Sequence, residues 1–89
     1  MTKIESEFNY LRDASVARME NGTPLRVGFP SPEGAFVPVG EWLIATRNFR
    51  LLGGNGQDWE DPGIIVKAGQ RFRLKRAGSA ADAAIWEIA

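Results

Sequence analysis

The chain of 89 residues contains neither cysteine nor histidine, and this absence limits how it can hold a fold together. Disulfide bonds and the cysteine–histidine sets that bind structural zinc are excluded, so stability must come from a hydrophobic core. A chain of this length can build one core, and residues 1–89 are therefore predicted to form a single domain. At 44% hydrophobic residues, the chain has enough apolar side chains for that core.

The first part of the chain predicts an α-helix over about 2–21. Thr2 and Glu5 have the spacing of a capping box, and Asn21-Gly22 can supply the left-handed residue that ends a helix. At about 100° per residue, one side of the helix carries a stripe suited to packing. This stripe consists of Ile4, Phe8, Leu11, Ser15 and Met19.

From about residue 24 to 89, apolar and polar residues alternate with a period of two, which is typical of β-strands. Strands are predicted at 25–29, 35–39, 42–52, 64–66, 70–76 and from about 84 onward. Pro38 lacks an amide donor, which places its strand at an edge or ends it there. Lys67-Ala68-Gly69 predicts the loop of a hairpin joining 64–66 to 70–76. Apolar residues on both faces of 42–52 indicate a central or strongly bent strand.

The last residues, 79–89, fit two patterns. Ser79-Ala80-Ala81-Asp82 has the sequence pattern of a helix N-cap, whereas Ile85-Trp86-Glu87-Ile88 suits a closing strand. The strand is the favoured prediction. The whole chain therefore predicts the α+β class. An N-terminal helix packs on a small, mostly antiparallel sheet of about five strands, and that sheet either stays open or curls into a barrel.

Equal numbers of basic and acidic residues, 11 each, conceal a segregation of charge along the chain. Residues 57–61 contain three acids and no base, whereas residues 62–76 contain five bases and no acid. On an alternating strand, the side chains of Arg71, Arg73 and Lys75 share one face. Arg47 or Arg50 would widen this face if their strand is a neighbour.

This basic strand face predicts nucleic-acid binding as the alternative function, because clustered cations are the electrostatic footprint of phosphate recognition. The pI of about 6.2 argues against it, since nucleic-acid-binding modules usually carry an excess of positive charge. A solvated strand face is the simpler interpretation.

The acidic segment around Trp59 is the leading candidate for a contact with a partner. Asp58, Glu60 and Asp61 flank this tryptophan, which either packs back on the core or stands out as a contact residue. Phe36 lies on the opposite face of its strand from Ala35 and Val37, so an exposed apolar surface is expected there as well.

No catalytic arrangement is visible, because histidine and cysteine are absent and the acids lie in a segment rich in turn-forming residues. The leading prediction is a small non-catalytic, cytoplasmic interaction protein of the adaptor, accessory or inhibitor type, a group that includes phage-encoded antagonists. Its partner is another protein or a second copy of the chain. No metal or cofactor is predicted. No membrane span is expected either, because the longest apolar runs have four residues.

Overall fold

The computed structural model describes residues 6–7, 9–28, 32–51, 64–78 and 84–89. These residues form an almost all-β structure, and their only helical element is one 3₁₀ turn at Ala14–Val16. The prediction of an α+β fold, with an N-terminal helix packed on a sheet, is therefore wrong. Within the described ranges, no helix is long and apolar enough to cross a membrane.

Within the described ranges, nine short strands build three antiparallel sheets. The strands are β1 (Ser6–Glu7), β2 (Tyr10–Leu11), β3 (Ala17–Met19), β4 (Ala35–Phe36), β5 (Trp42–Ala45), β6 (Phe49–Leu51), β7 (Ile64–Val66), β8 (Arg71–Arg76) and β9 (Ile85–Ile88). The strand orders are β1-β2-β4, β3-β5-β8-β9 and β6-β7. None of these sheets closes into a barrel over the residues described.

The N-terminal segment forms strands because its apolar residues pack in two directions. Leu11 is buried in the first sheet, whereas Ala17 and Met19 of β3 are buried beside β5. The predicted helix would have turned Ser15 inward, but Ser15 is exposed and Val16 is buried instead. Burial against distant strands outweighs helix propensity, which differs by only about 1 kcal/mol per residue among residues other than proline.

The stretch predicted as one strand at 42–52 is strongly bent and serves two sheets. β5 pairs with β8, the chain turns at 46–48, and β6 then pairs with β7. The segment between β7 and β8 turns beside this bend. There Gly69 has a φ of 86°, and its N–H donates to the Ala45 carbonyl at 2.8 Å. The Asn48 side chain accepts from the Ala68 N–H at 2.9 Å and joins the two turns.

Consequently β7 and β8 do not pair with each other, and the hairpin predicted at 64–76 is wrong. The two strands instead form one arm of a longer, bent hairpin whose other arm is β5 and β6. The predicted strand at 25–29 is reduced to an isolated bridge between Val27 and Ala35. β4 ends before Pro38 and lies at the edge of its sheet, as the missing amide donor predicts.

The core lies between one face of the four-stranded sheet and the β6–β7 pair. Phe72 is fully buried at its centre, with its ring centroid 5.3 Å from that of Phe49 and 5.9 Å from that of Trp86. Leu43 and Leu74 complete the layer from β5 and β8. The closing strand predicted from about Ala84 is confirmed as β9.

Asp13 ties the 3₁₀ turn to the bend after β5. Its Oδ1 accepts from the Ser15 N–H at 3.0 Å and from the Ser15 hydroxyl at 2.7 Å, and Oδ2 accepts from Arg47 Nη2. The Thr46 hydroxyl donates to the Ser15 carbonyl across the same junction. One carboxylate therefore caps the turn and also holds the Arg47 side chain.

Replacement of Asp13 with alanine is expected to lower the free energy of unfolding by about 1–2 kcal/mol, because the turn loses its cap and its ion pair together. Arg47→Ala removes the ion pair and the hydrogen bond to the Ser15 hydroxyl, both made by a half-exposed side chain, and should cost less than about 1 kcal/mol. Urea denaturation of both variants measures the difference. Equal losses would show that the cap contributes nothing.

Candidate functional site

The outer face of the four-stranded sheet collects most of the charged side chains of β3, β5, β8 and β9. Alternate residues of these strands, including Leu43, Phe72 and Trp86, point into the core. The residues between them point outward in register: Arg18 pairs with Ile44 and Ile44 with Arg71, while Trp42 pairs with Arg73 and Arg73 with Glu87. We call this surface the basic face.

Trp42 lies at the centre of the basic face, under two guanidinium groups. The Cζ atoms of Arg71 and Arg73 are 4.5 Å and 4.8 Å from the centroid of the indole ring. Each guanidinium is also held by an acid, since Arg71 donates to both carboxylate oxygens of Glu20 and Arg73 Nε donates to Glu87. Cation–π contact and ion pairing thus fix both arginine side chains over the tryptophan.

A β-bulge in β8 enlarges the basic face. Leu74 pairs with Trp86, but Arg76 pairs with Ile85, so the register shifts by one residue at Lys75. Ile85 and Glu87 share a face, which brings Arg76 to the same side as Lys75, and both cations are exposed. Strict alternation would have turned Arg76 away, and nothing in the sequence marks the bulge.

The structure brings Arg71, Arg73 and Lys75 of the predicted set together on the basic face and places the two further residues elsewhere. Arg47 lies beyond the end of β5 and pairs with Asp13. Arg50 belongs to β6, opposite Ile65 in the separate β6–β7 sheet, because the bend at 46–48 carries it away. Its Nε is buried and has no hydrogen-bond partner.

Arg18 takes the place that Arg47 and Arg50 were expected to fill. It lies on β3, directly across β5 from Arg71, and its side chain is exposed. The helical prediction concealed this position. The alternation of Ala17, Arg18, Met19 and Glu20 was nevertheless a readable strand signal.

A second surface is an apolar groove beside the edge strand β4, which we call the Phe36 groove. It has a volume of about 520 Å³. Apolar residues from three parts of the chain line most of it: Met19, Pro24, Leu25, Phe36, Pro38 and Val39. Phe36 is 37% exposed and Val39 is 56% exposed, so the apolar surface predicted around Phe36 is present.

The apolar surface continues past Leu25 into a neighbouring groove of about 460 Å³. Val27, which is 60% exposed, lines this second groove. Arg26 is the one charged residue among the described residues that line the Phe36 groove, and its side chain is exposed. The two grooves share Leu25 and form one strip, with Arg26 lining the first groove and Asp13, Arg18 and Glu33 lining the second.

The acidic candidates Asp58, Trp59, Glu60 and Asp61 lie outside the described residues. The predicted contact role of this segment therefore stays a prediction. Glu20, Glu87 and Asp13 are the acids that pair with Arg71, Arg73 and Arg47.

Among the residues that the structure describes, no three acids come together in a way that could hold a metal ion. Comparison of the chain with protein-family models, with curated proteins and with solved structures finds no match.

Proposed function

We propose that this protein is a small, non-enzymatic interaction protein that binds a segment of another protein in the Phe36 groove. The observation that carries the proposal is the clustering of exposed apolar side chains at this groove. Val27, Phe36 and Val39 are three of the four large hydrophobic residues that are exposed in the described part of the chain. All three line the two connected grooves, whereas the fourth, Ile65, lies elsewhere on β7.

Size and shape support a polypeptide as the occupant. Single exposed apolar residues are ordinary on protein surfaces, but a concave cluster of them is typical of a binding site. The Phe36 groove falls within the range of about 300–1,000 Å³ that ligand sites usually have. Since the strip continues past Leu25, it fits two apolar side chains of one partner segment.

The charged residues that line the groove indicate which kind of protein segment would bind there. Arg26 is exposed and lines the Phe36 groove, whose described lining residues include no acid, whereas the neighbouring groove is lined by Asp13, Arg18 and Glu33. An acidic residue of the ligand would therefore meet a favourable potential in the Phe36 groove, next to Arg26, and not in the neighbouring groove. The proposed ligand is a protein segment that combines two apolar residues with a neighbouring aspartate or glutamate. We also propose that the protein acts in the cytoplasm, as expected from the sequence.

Selection from a random peptide library displayed on phage tests the proposal directly. The wild-type protein is expected to enrich peptides with apolar residues next to an acid. Val39→Asp places a charge in the groove at an exposed position, so the fold is retained while the apolar contact is lost. Affinity for a selected peptide should fall about 10- to 100-fold, the value of burying one valine-sized side chain.

Ile65→Asp is the matched control, because Ile65 is 54% exposed and lies outside both grooves. It should leave peptide affinity unchanged. The proposal is wrong if no peptide is enriched, or if the two variants weaken binding equally. Sedimentation of the free protein adds a further test: a dimer that dissociates in Val39→Asp would assign the groove to a second copy of the chain and contradict the proposal.

A further inference from the structure

We propose that the basic face binds single-stranded nucleic acid, with bases stacked on the Trp42–arginine cluster and phosphates held by the surrounding cations. This site lies on the four-stranded sheet and is separate from the Phe36 groove. It makes the protein a two-site binder and does not depend on the function proposed for the groove.

The charge of the face is the first reason. Among the described residues, the outer surface carries five cations, Arg18, Arg71, Arg73, Lys75 and Arg76, and two acids, Glu20 and Glu87. The acids are engaged with Arg71 and Arg73, whereas Arg18, Lys75 and Arg76 are exposed around them. An excess of cations on one face attracts phosphate even though the whole chain is neutral.

The cluster of Arg71 and Arg73 over the Trp42 ring is the second reason. Bases of single strands stack on aromatic rings and on guanidinium planes. Arg71 lies over the indole ring, and its two hydrogen bonds to Glu20 hold the guanidinium by one edge. Those bonds use Nε and Nη2 and leave the Nη1 donors for a ligand, and the Arg71 side chain is 44% exposed. Glu20 thus positions Arg71 as part of a stacking surface rather than simply neutralising it.

The shape of the basic face favours one of three possible anionic ligands: a nucleic-acid duplex, an acidic protein segment and a nucleic-acid single strand. A duplex presents its bases inside grooves, which are too narrow for a four-stranded sheet to enter. An acidic protein segment would use the cations but gain little from the aromatic ring and guanidinium groups of the Trp42–arginine cluster. A single strand uses both, because its unstacked bases and its phosphates are accessible together. The observed combination therefore favours single-stranded nucleic acid.

Fluorescence anisotropy with a labelled oligothymidylate of about 15 nucleotides, at low salt, tests the proposal. Binding should weaken as salt rises, because phosphate contacts release counterions. Lys75→Glu should reduce affinity by about tenfold and lower the slope of log K against log salt by about 0.7, the value of one lost phosphate contact. Lys67→Glu is the matched control, since Lys67 is an exposed lysine in the loop after β7.

Three further ligands test the stacking and the choice of strand in the wild-type protein. An abasic oligonucleotide of the same length keeps the phosphates and lacks the bases, so it should bind at least about fivefold more weakly. A duplex and a poly-glutamate peptide should also bind more weakly than the single strand. The proposal is overturned if oligothymidylate does not bind, if Lys67→Glu and Lys75→Glu weaken binding equally, or if any of the three ligands binds as tightly as oligothymidylate.

Discussion

Replacement of Phe72 with alanine is expected to destabilise the protein by about 3–5 kcal/mol, the largest effect of any single change considered. Phe72 is fully buried, and its ring packs edge-on against Phe49 and at a tilt against Trp86. Removing the ring leaves a cavity between β8, β9 and the β6–β7 pair. A domain of this size has a total stability of only several kcal/mol, so a large fraction of the molecules should unfold.

Urea denaturation followed by tryptophan fluorescence measures this loss. Phe72→Leu keeps most of the buried volume and should cost about 1–2 kcal/mol. Ile65→Ala removes an exposed side chain of β7 and serves as the control, with little change expected. A Phe72→Ala variant as stable as Ile65→Ala would mean that Phe72 does not occupy the centre of the core.

Arg18→Pro should have the second largest effect, on the order of 2–3 kcal/mol, because it removes a hydrogen bond of the β3–β5 ladder. The Thr46 N–H donates to the Val16 carbonyl at 2.8 Å, and the Glu20 N–H donates to the Trp42 carbonyl at 3.0 Å. Antiparallel pairing then directs the Arg18 N–H toward Ile44. Proline lacks this donor and leaves the Ile44 carbonyl unpaired.

Arg18→Ala retains the backbone donor and changes only an exposed side chain, so it should be nearly neutral. Amide hydrogen exchange of the wild type provides an independent measurement on the same strand. The amides of Arg18 and Glu20 should exchange slowly and that of Met19 faster, because Met19 N–H points away from β5. Equal protection of all three amides would indicate a helix and would contradict the strand.

The candidate surfaces were predictable only in part, and Arg71, Arg73 and Lys75 illustrate the predictable part. Their alternation with buried Phe72 and Leu74 is a local property of one strand, so the sequence revealed their common face. Which cations join them depends on neighbouring strands and on register. The bend at 46–48 removes Arg50, and the bulge at Lys75 adds Arg76.

For the Phe36 groove too, one part was predictable from the sequence and another part depended on the tertiary structure. Its alternation against Ala35 and Val37 correctly indicated a partly exposed side chain. The groove itself required Met19, Leu25 and Val39 to meet beside β4, from segments far apart in the chain. The cation at its margin, Arg26, lies in a stretch predicted to be a strand that does not form.

The sequence by itself determined the β-rich character of 35–51, 64–78 and 84–89, the closing strand at 85–88, the edge position of the segment before Pro38, and the alternation on β8. These features depend on side-chain period, turn-forming residues and the missing proline donor, all of which act between near neighbours. Only the tertiary structure decided that residues 6–7 and 9–20 contain strands rather than an α-helix. Leu11, Val16 and Met19 are buried against strands more than twenty residues away, and that burial outweighs the modest local preference for a helix.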